Sequence, residues 1–141
     1  MIVTLTIRNA QLALFETGQK DTYIRGLCDS LRTLFLDELR EIQVFELYEL
    51  VKTTLLKAQN YGLKSERDVF RYTCLSVACG WHFGAEQANV WMVNMLTDAK
   101  VSNPGDRLDR VIAEYFHRCD MAERARLLTE DFQGRVNSSR Q

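Results

Sequence analysis

The chain has 141 residues, of which 46% are hydrophobic and 26% charged. This length suits one domain, and the balance is near the average for globular proteins, which argues against intrinsic disorder. Its 18 basic and 19 acidic residues are interspersed and give a net charge of −1, so no basic surface predicts binding to nucleic acid or to an anionic membrane. One proline and seven glycines leave little room for linkers and favour helices.

The sequence pattern in the N-terminal third of the chain predicts one short helix followed by a longer one. Met1–Thr6 alternates weakly and could be extended, and Thr6 could then cap a short helix that ends near Phe15. Apolar residues recur at helical spacing further on, including Ile24, Leu27 and Leu31. This spacing predicts an amphipathic helix over residues 20–37.

A stronger helix follows the charged junction Asp37–Glu41 and ends before Gly62. Its apolar residues alternate spacings of four and three, as in a helix-packing seam: Val44, Tyr48, Val51, Leu55 and Ala58. Gly62 is a plausible residue for the left-handed turn that ends such a helix. The same seam could pair the helices of two chains, so the sequence is also compatible with a homo-oligomer.

The clearest start signal of a helix is Ser65, with Asp68 three positions later as in a capping box. The uncharged run Tyr72–Ala85 then predicts a central core helix over residues 66–80. Because this run is shorter than the roughly 17 residues that span a bilayer, it does not predict a membrane helix. A further widely buried helix is expected over residues 86–98.

The strongest loop signal is Lys100–Asp106, which contains Asn-Pro-Gly. Residues 108–119 follow with a three-four apolar rhythm, and four further positions suggest a separate last helix: Met121, Ala125, Leu128 and Phe132. The expected fold is therefore an all-α, single-domain, irregular or orthogonal bundle of five to seven helices. The domain would cover residues 1–133, with a flexible tail over 134–141.

Metal binding is the sharpest chemical alternative, because thiolate and imidazole groups are the ligands zinc prefers. The candidate ligands are Cys74, Cys79, His82, His117 and Cys119. However, Cys74 and Cys79 lie about 140° apart around a helix, and no CxxC motif is present. We therefore expect no metal and no cofactor.

Catalytic residues are not expected either. Cys79 near His82 is the one sequence-local thiol and base, and apolar neighbours would raise the pKa of that thiol instead of activating it. Three carboxylate pairs, Asp37/Glu38, Glu38/Glu41 and Asp106/Asp109, lie at predicted helix starts and junctions, where acids stabilise helix ends. The sequence thus predicts a protein that is not an enzyme.

The four cysteines occupy mainly apolar helix positions, and the first ten residues, MIVTLTIRNA, contain no basic leader before an apolar stretch. Reduced core thiols and the lack of an export signal predict a cytoplasmic protein. Aromatic residues are common at interface hot spots, so Trp81 and Phe83 are the candidate partner-binding residues.

Two segments, NYGLKSERDVFRYTCLSVACGWHFG (Asn60–Gly84) and MLTDAKVSNPGDRLDRVIAEY (Met95–Tyr115), carry a family resemblance. They resemble small helical proteins encoded beside effector genes of bacterial type VI secretion systems. The shared features are Tyr61-Gly62, the SERDV helix start, the aromatic-Gly segment, the short acidic LxD, and RLDR at Arg107–Arg110. The resemblance covers roughly the last two-thirds of the chain and implies no catalytic residues.

The resemblance implies a cytoplasmic accessory role, in which the protein holds or loads a secreted effector. We therefore expect a non-catalytic, protein-binding adaptor or chaperone for a type VI effector. The alternative is an immunity protein that binds and blocks a cognate toxin. A toxicity-rescue assay separates the two, because an adaptor leaves the toxin active.

Overall fold

A computed structural model of the chain describes residues 17–139. Within this range the chain forms five α-helices and no strand, which confirms the all-α prediction. The helices are α1 (Thr17–Leu34), α2 (Val44–Asn60), α3 (Glu66–Cys79), α4 (Val90–Leu96) and α5 (Pro104–Ser139). The short helix expected near residues 6–15 lies outside the described residues.

The core is built by packing α1 on α2, α2 on α3, and α5 on both α3 and α4. Each helix contributes fully buried side chains at helical spacing: Ile24, Leu31, Leu47, Val51, Leu55, Val69, Met92, Leu96, Leu108 and Val111. The α2 seam is therefore used largely within the chain, since Val51, Leu55 and Ala58 are buried. Val44, at its N-terminal end, is 70% exposed.

The junction between α1 and α2 is held by one arginine. Arg32 donates hydrogen bonds to the carbonyls of Leu39 and Ile42, at 3.1 and 2.7 Å. These bonds satisfy carbonyls of the turn that no helix uses. They fix the direction in which α2 leaves the turn.

Both predicted helix boundaries around residues 62–65 are confirmed. Gly62 has φ +83°, and the amides of Gly62 and Leu63 donate to Gln59 and Ala58, which is a Schellman motif. The Ser65 hydroxyl accepts from the Asp68 amide at 3.1 Å and caps α3. The Asp68 carboxylate lies near Arg71, 3.5 Å away.

Two expected elements differ from the structure. The helix expected over residues 86–98 begins only at Val90, because two 3₁₀ turns, Phe83–Ala85 and Gln87–Asn89, precede it. The prediction of a separate last helix was wrong, since α5 continues unbroken from Pro104 to Ser139. The described part of the expected tail, residues 134–139, is the end of this helix, and its flexibility stays a prediction.

Candidate protein-binding cleft

A cleft of about 350 Å³ lies between α2 and the segment that follows α3. Its α2 side is formed by residues that recur every three or four positions, including Glu46, Glu49 and Thr53. Such spacing places their side chains on one face of the helix. Its other side is formed by Trp81 and His82.

Gly80 and Lys57 position this second side. Gly80 ends α3 with φ +109°, a conformation that L side chains rarely adopt, and so turns the chain toward α2. The Lys57 ammonium then donates to the Trp81 carbonyl at 3.1 Å and lies 3.2 Å from Nδ1 of His82. Because an ammonium group can only donate, this contact is a hydrogen bond in the tautomer whose Nδ1 carries no proton.

Large apolar side chains are exposed beside the cleft. Phe45 lines it and is 75% exposed, although it lies in the first turn of a helix. Three further apolar residues are exposed between the end of α1 and the start of α2, namely Leu34, Leu36 and Val44. Exposed apolar groups next to a concavity are typical of binding surfaces.

The charges at this end of α2 are acidic and unpaired. Glu46 and Glu49 line the cleft, and Glu38 and Glu41 lie exposed in the preceding turn. None of the four takes part in an ion pair with another described residue, whereas Asp37 pairs with Arg40 at 2.6 Å. The cleft therefore offers carboxylates with which a cationic group of a binding partner could pair.

The two predicted partner-binding residues have different positions. Trp81 lines the cleft and is half-buried. Phe83 is only 2% exposed, and its ring lies 5.8 Å from that of Tyr72 in the core. Phe83 therefore packs inside the domain, and of the two residues only Trp81 remains a candidate for partner binding.

Sequence reasoning missed Phe45, Glu46 and Glu49. A usable signal was present, because Phe45 lies one position after Val44 and hence off the seam that packs α2 into the core. An aromatic residue on the polar face of an amphipathic helix is more informative than one on its apolar face.

The thiol and imidazole candidates are distributed over separate places. Burial raises the pKa of the Cys79 thiol to about 11, and a hydrogen bond with Tyr115 partly opposes this effect. Tyr115 also hydrogen-bonds the exposed Cys119, so these two cysteines are brought near one tyrosine. His82 instead lies at the cleft beside Lys57.

The expected rise in the pKa of Cys79 is thus confirmed. Burial also raises the pKa of the Cys74 thiol. Among residues 17–139, no three histidine, cysteine, aspartate or glutamate side chains are grouped so that they could hold a metal ion.

Asp106 and Asp109, one of the acidic pairs singled out in the sequence, have different surroundings. Asp109 pairs with Arg71 of α3 at 2.6 Å, while Asp106 is exposed in the first turn of α5. No carboxylate among the described residues hydrogen-bonds the His82 ring. What the cleft presents is an aromatic wall, an acidic edge and the exposed Thr53, an arrangement suited to holding a chain segment.

Compared with protein-family models, curated proteins and solved structures, the chain matches none. None of the helices within residues 17–139 combines the length and the apolar character required to cross a membrane.

Proposed function

We propose that this protein is a non-catalytic accessory factor, an adaptor or chaperone that binds a type VI secretion effector in the cytoplasm. The observation that carries the binding role is the cleft, in which an exposed Phe45 faces outward beside the Trp81 wall. The identity of the partner as an effector rests on the resemblance in Asn60–Gly84 and Met95–Tyr115.

The charge of the cleft indicates the segment it would take. Glu46 and Glu49 form no ion pair among the described residues, so a partner segment with Lys or Arg beside apolar residues would pair with them. An amphipathic helix laid along α2 has this pattern, with apolar anchors at i, i+3 and i+4. We therefore propose that the effector presents a basic amphipathic helix.

The test is co-purification with the protein encoded beside this one. Truncating an aromatic hot spot costs about 2 kcal/mol or more, so Phe45→Ala should weaken binding about 30-fold. Phe116→Ala is a matched control, since Phe116 is 65% exposed but lies on α5 away from the cleft. The proposal fails if the wild-type chain captures no partner, or if both variants bind equally.

A second candidate, an immunity protein, is supported by the four unpaired glutamates at Glu38, Glu41, Glu46 and Glu49. An acidic surface can occlude the basic active site of a nuclease toxin. Expression of this chain alone would then reverse toxicity, and Glu46→Lys with Glu49→Lys would abolish the rescue. If the chain is an adaptor, toxicity persists in its presence, and deleting it reduces secretion of the toxin.

A further inference from the structure

Helix α5 extends far beyond the domain from which it starts. Its 36 residues correspond to about 54 Å. Only Leu108 and Val111 are fully buried, and Tyr115 is the last residue that packs partly against the core. From Phe116 onward every residue whose exposure is described is exposed, although the guanidinium of Arg118 still lies over the ring of Trp91. Beyond Cys119, about 30 Å of helix shows no contact with the domain among the described residues.

A free helix of this length has few sources of stability within one chain. Its arginines pair with acids three or four positions away, as in Arg124–Asp120 and Arg135–Asp131. Such exposed pairs add little, and Gly134 opposes them inside the helix. Helices in proteins gain most of their stability from packing an apolar face, and this part of α5 has no such packing in the described chain.

An apolar face is nevertheless present. Met121, Ala125 and Leu128 follow the four-three spacing of a helix-pairing seam, and residue 132 continues it in the sequence. Met121 is 50% exposed and Leu128 is 70% exposed. A stripe this narrow is typical of a two-helix contact.

We infer that this half of α5 pairs with α5 of a second copy of the chain, in antiparallel orientation. The twofold axis would pass between Arg126 and Leu127. Ala125 then lies opposite Leu128 of the second copy, and Met121 opposite position 132. A contact of this kind is isologous, because the same pairs occur on both sides of the axis.

Volume and charge favour antiparallel over parallel pairing. Each central layer joins the small Ala125 to the larger Leu128, whereas an in-register parallel pair would place alanine against alanine. Arg124 and Asp131 lie on the same flank of the seam, and same flanks meet in an antiparallel pair. Arg124 of one copy thus meets Asp131 of the other, twice per dimer.

This inference is independent of the cleft, and its test is the mass of the full chain in solution. At about 100 µM, light scattering or sedimentation should give twice the mass of one chain. Leu128→Glu should leave a monomer, because it places one carboxylate in each of the two symmetry-related central layers, next to apolar groups. Leu127→Glu is the matched control, since Leu127 lies about 100° away on the helix and is 51% exposed.

Charge exchange tests the orientation. Arg124→Asp alone should raise the dimer dissociation constant at least about fivefold, because two ion pairs per dimer become repulsive. Combining it with Asp131→Arg should restore the wild-type value. A monomeric wild-type chain, equal effects of Leu127→Glu and Leu128→Glu, or no restoration in the double variant would each overturn the inference. Thermal unfolding of the helical domain, measured for each variant, verifies that the variant is folded.

Discussion

The guanidinium of Arg71 on α3 lies 2.6 Å from a carboxylate oxygen of Asp109 on α5. The same guanidinium lies 3.5 Å from Asp68, so one cation serves an acid on its own helix and one on the helix that extends from the domain. Arg71 and Asp68 are both mostly buried, with about one-quarter and one-fifth of their side chains exposed (24% and 20%). This pairing fixes the base of α5 against the core.

Removing Arg71 should therefore loosen the attachment of α5. We expect Arg71→Met to lower the free energy of unfolding by about 1 kcal/mol, since two carboxylates lose their cation in a partly exposed setting. Asp109→Asn should cost less, because that side chain is 52% exposed. Urea unfolding of the single and double variants gives the coupling energy, and a value of zero would contradict a direct pairing.

Substitution of Gly62 and of Gly26 by alanine should have opposite effects on stability. A Cβ at Gly62 would lie 3.0 Å from Cγ of Pro104, and its φ is +83°. Gly62→Ala should therefore destabilise the fold by about 1–2 kcal/mol. Gly26 lies exposed inside α1 with nothing within 4 Å of an added Cβ, so Gly26→Ala should stabilise it by about 0.5–1 kcal/mol. Thermal unfolding should show shifts of opposite sign.

Phe83 and Phe45 should respond in opposite ways to truncation. Phe83→Ala removes a buried ring and should cost about 3–5 kcal/mol of stability. Phe45→Ala removes an exposed ring and should change stability by less than about 0.5 kcal/mol while weakening partner binding. Equal stability losses in chemical denaturation would contradict the positions of these two rings.

The cysteines should differ in reactivity. A pKa of about 11 for Cys79, against an ordinary value of 9.0, lowers its thiolate fraction about 100-fold at neutral pH. Iodoacetamide should thus modify the exposed Cys119 well before Cys79, as read by peptide mass spectrometry. Rapid modification of Cys79 in the folded protein would show that this thiol is not buried.

The same shift has a consequence for stability. Between pH 9 and 11 the unfolded chain loses the Cys79 proton while the folded chain keeps it, so stability declines as pH rises through this window. The Cys79→Ala variant should show a shallower decline. An identical slope in both proteins would contradict the link.

Local signals in the sequence predicted the boundaries of helices well. Ser65 caps α3 and Gly62 ends α2 because both act through backbone geometry that a few neighbouring residues determine. The break expected before Met121 did not occur. Met121 lies about 120° around the helix from Tyr115, so the apolar pattern changes face without the helix ending.

The cleft was predictable only in part. Trp81 was predicted as a partner-binding aromatic, but its placement beside Lys57 depends on how α2 and α3 pack, which spacing within one helix does not encode. Phe83 has the same aromatic character in the sequence and is buried. Which of two neighbouring aromatics faces outward was determined by the 3₁₀ turn at Phe83–Ala85.

The two tryptophans stand at two different surfaces. Trp81 lines the cleft, while the ring of Trp91 lies under the guanidinium of Arg118, 4.0 Å from its carbon, where α5 leaves the domain. Each indole therefore acts as a built-in fluorophore for its own region. In Trp91→Phe protein the emission spectrum reports occupancy of the cleft, and in Trp81→Phe protein it reports what happens at the base of the long helix.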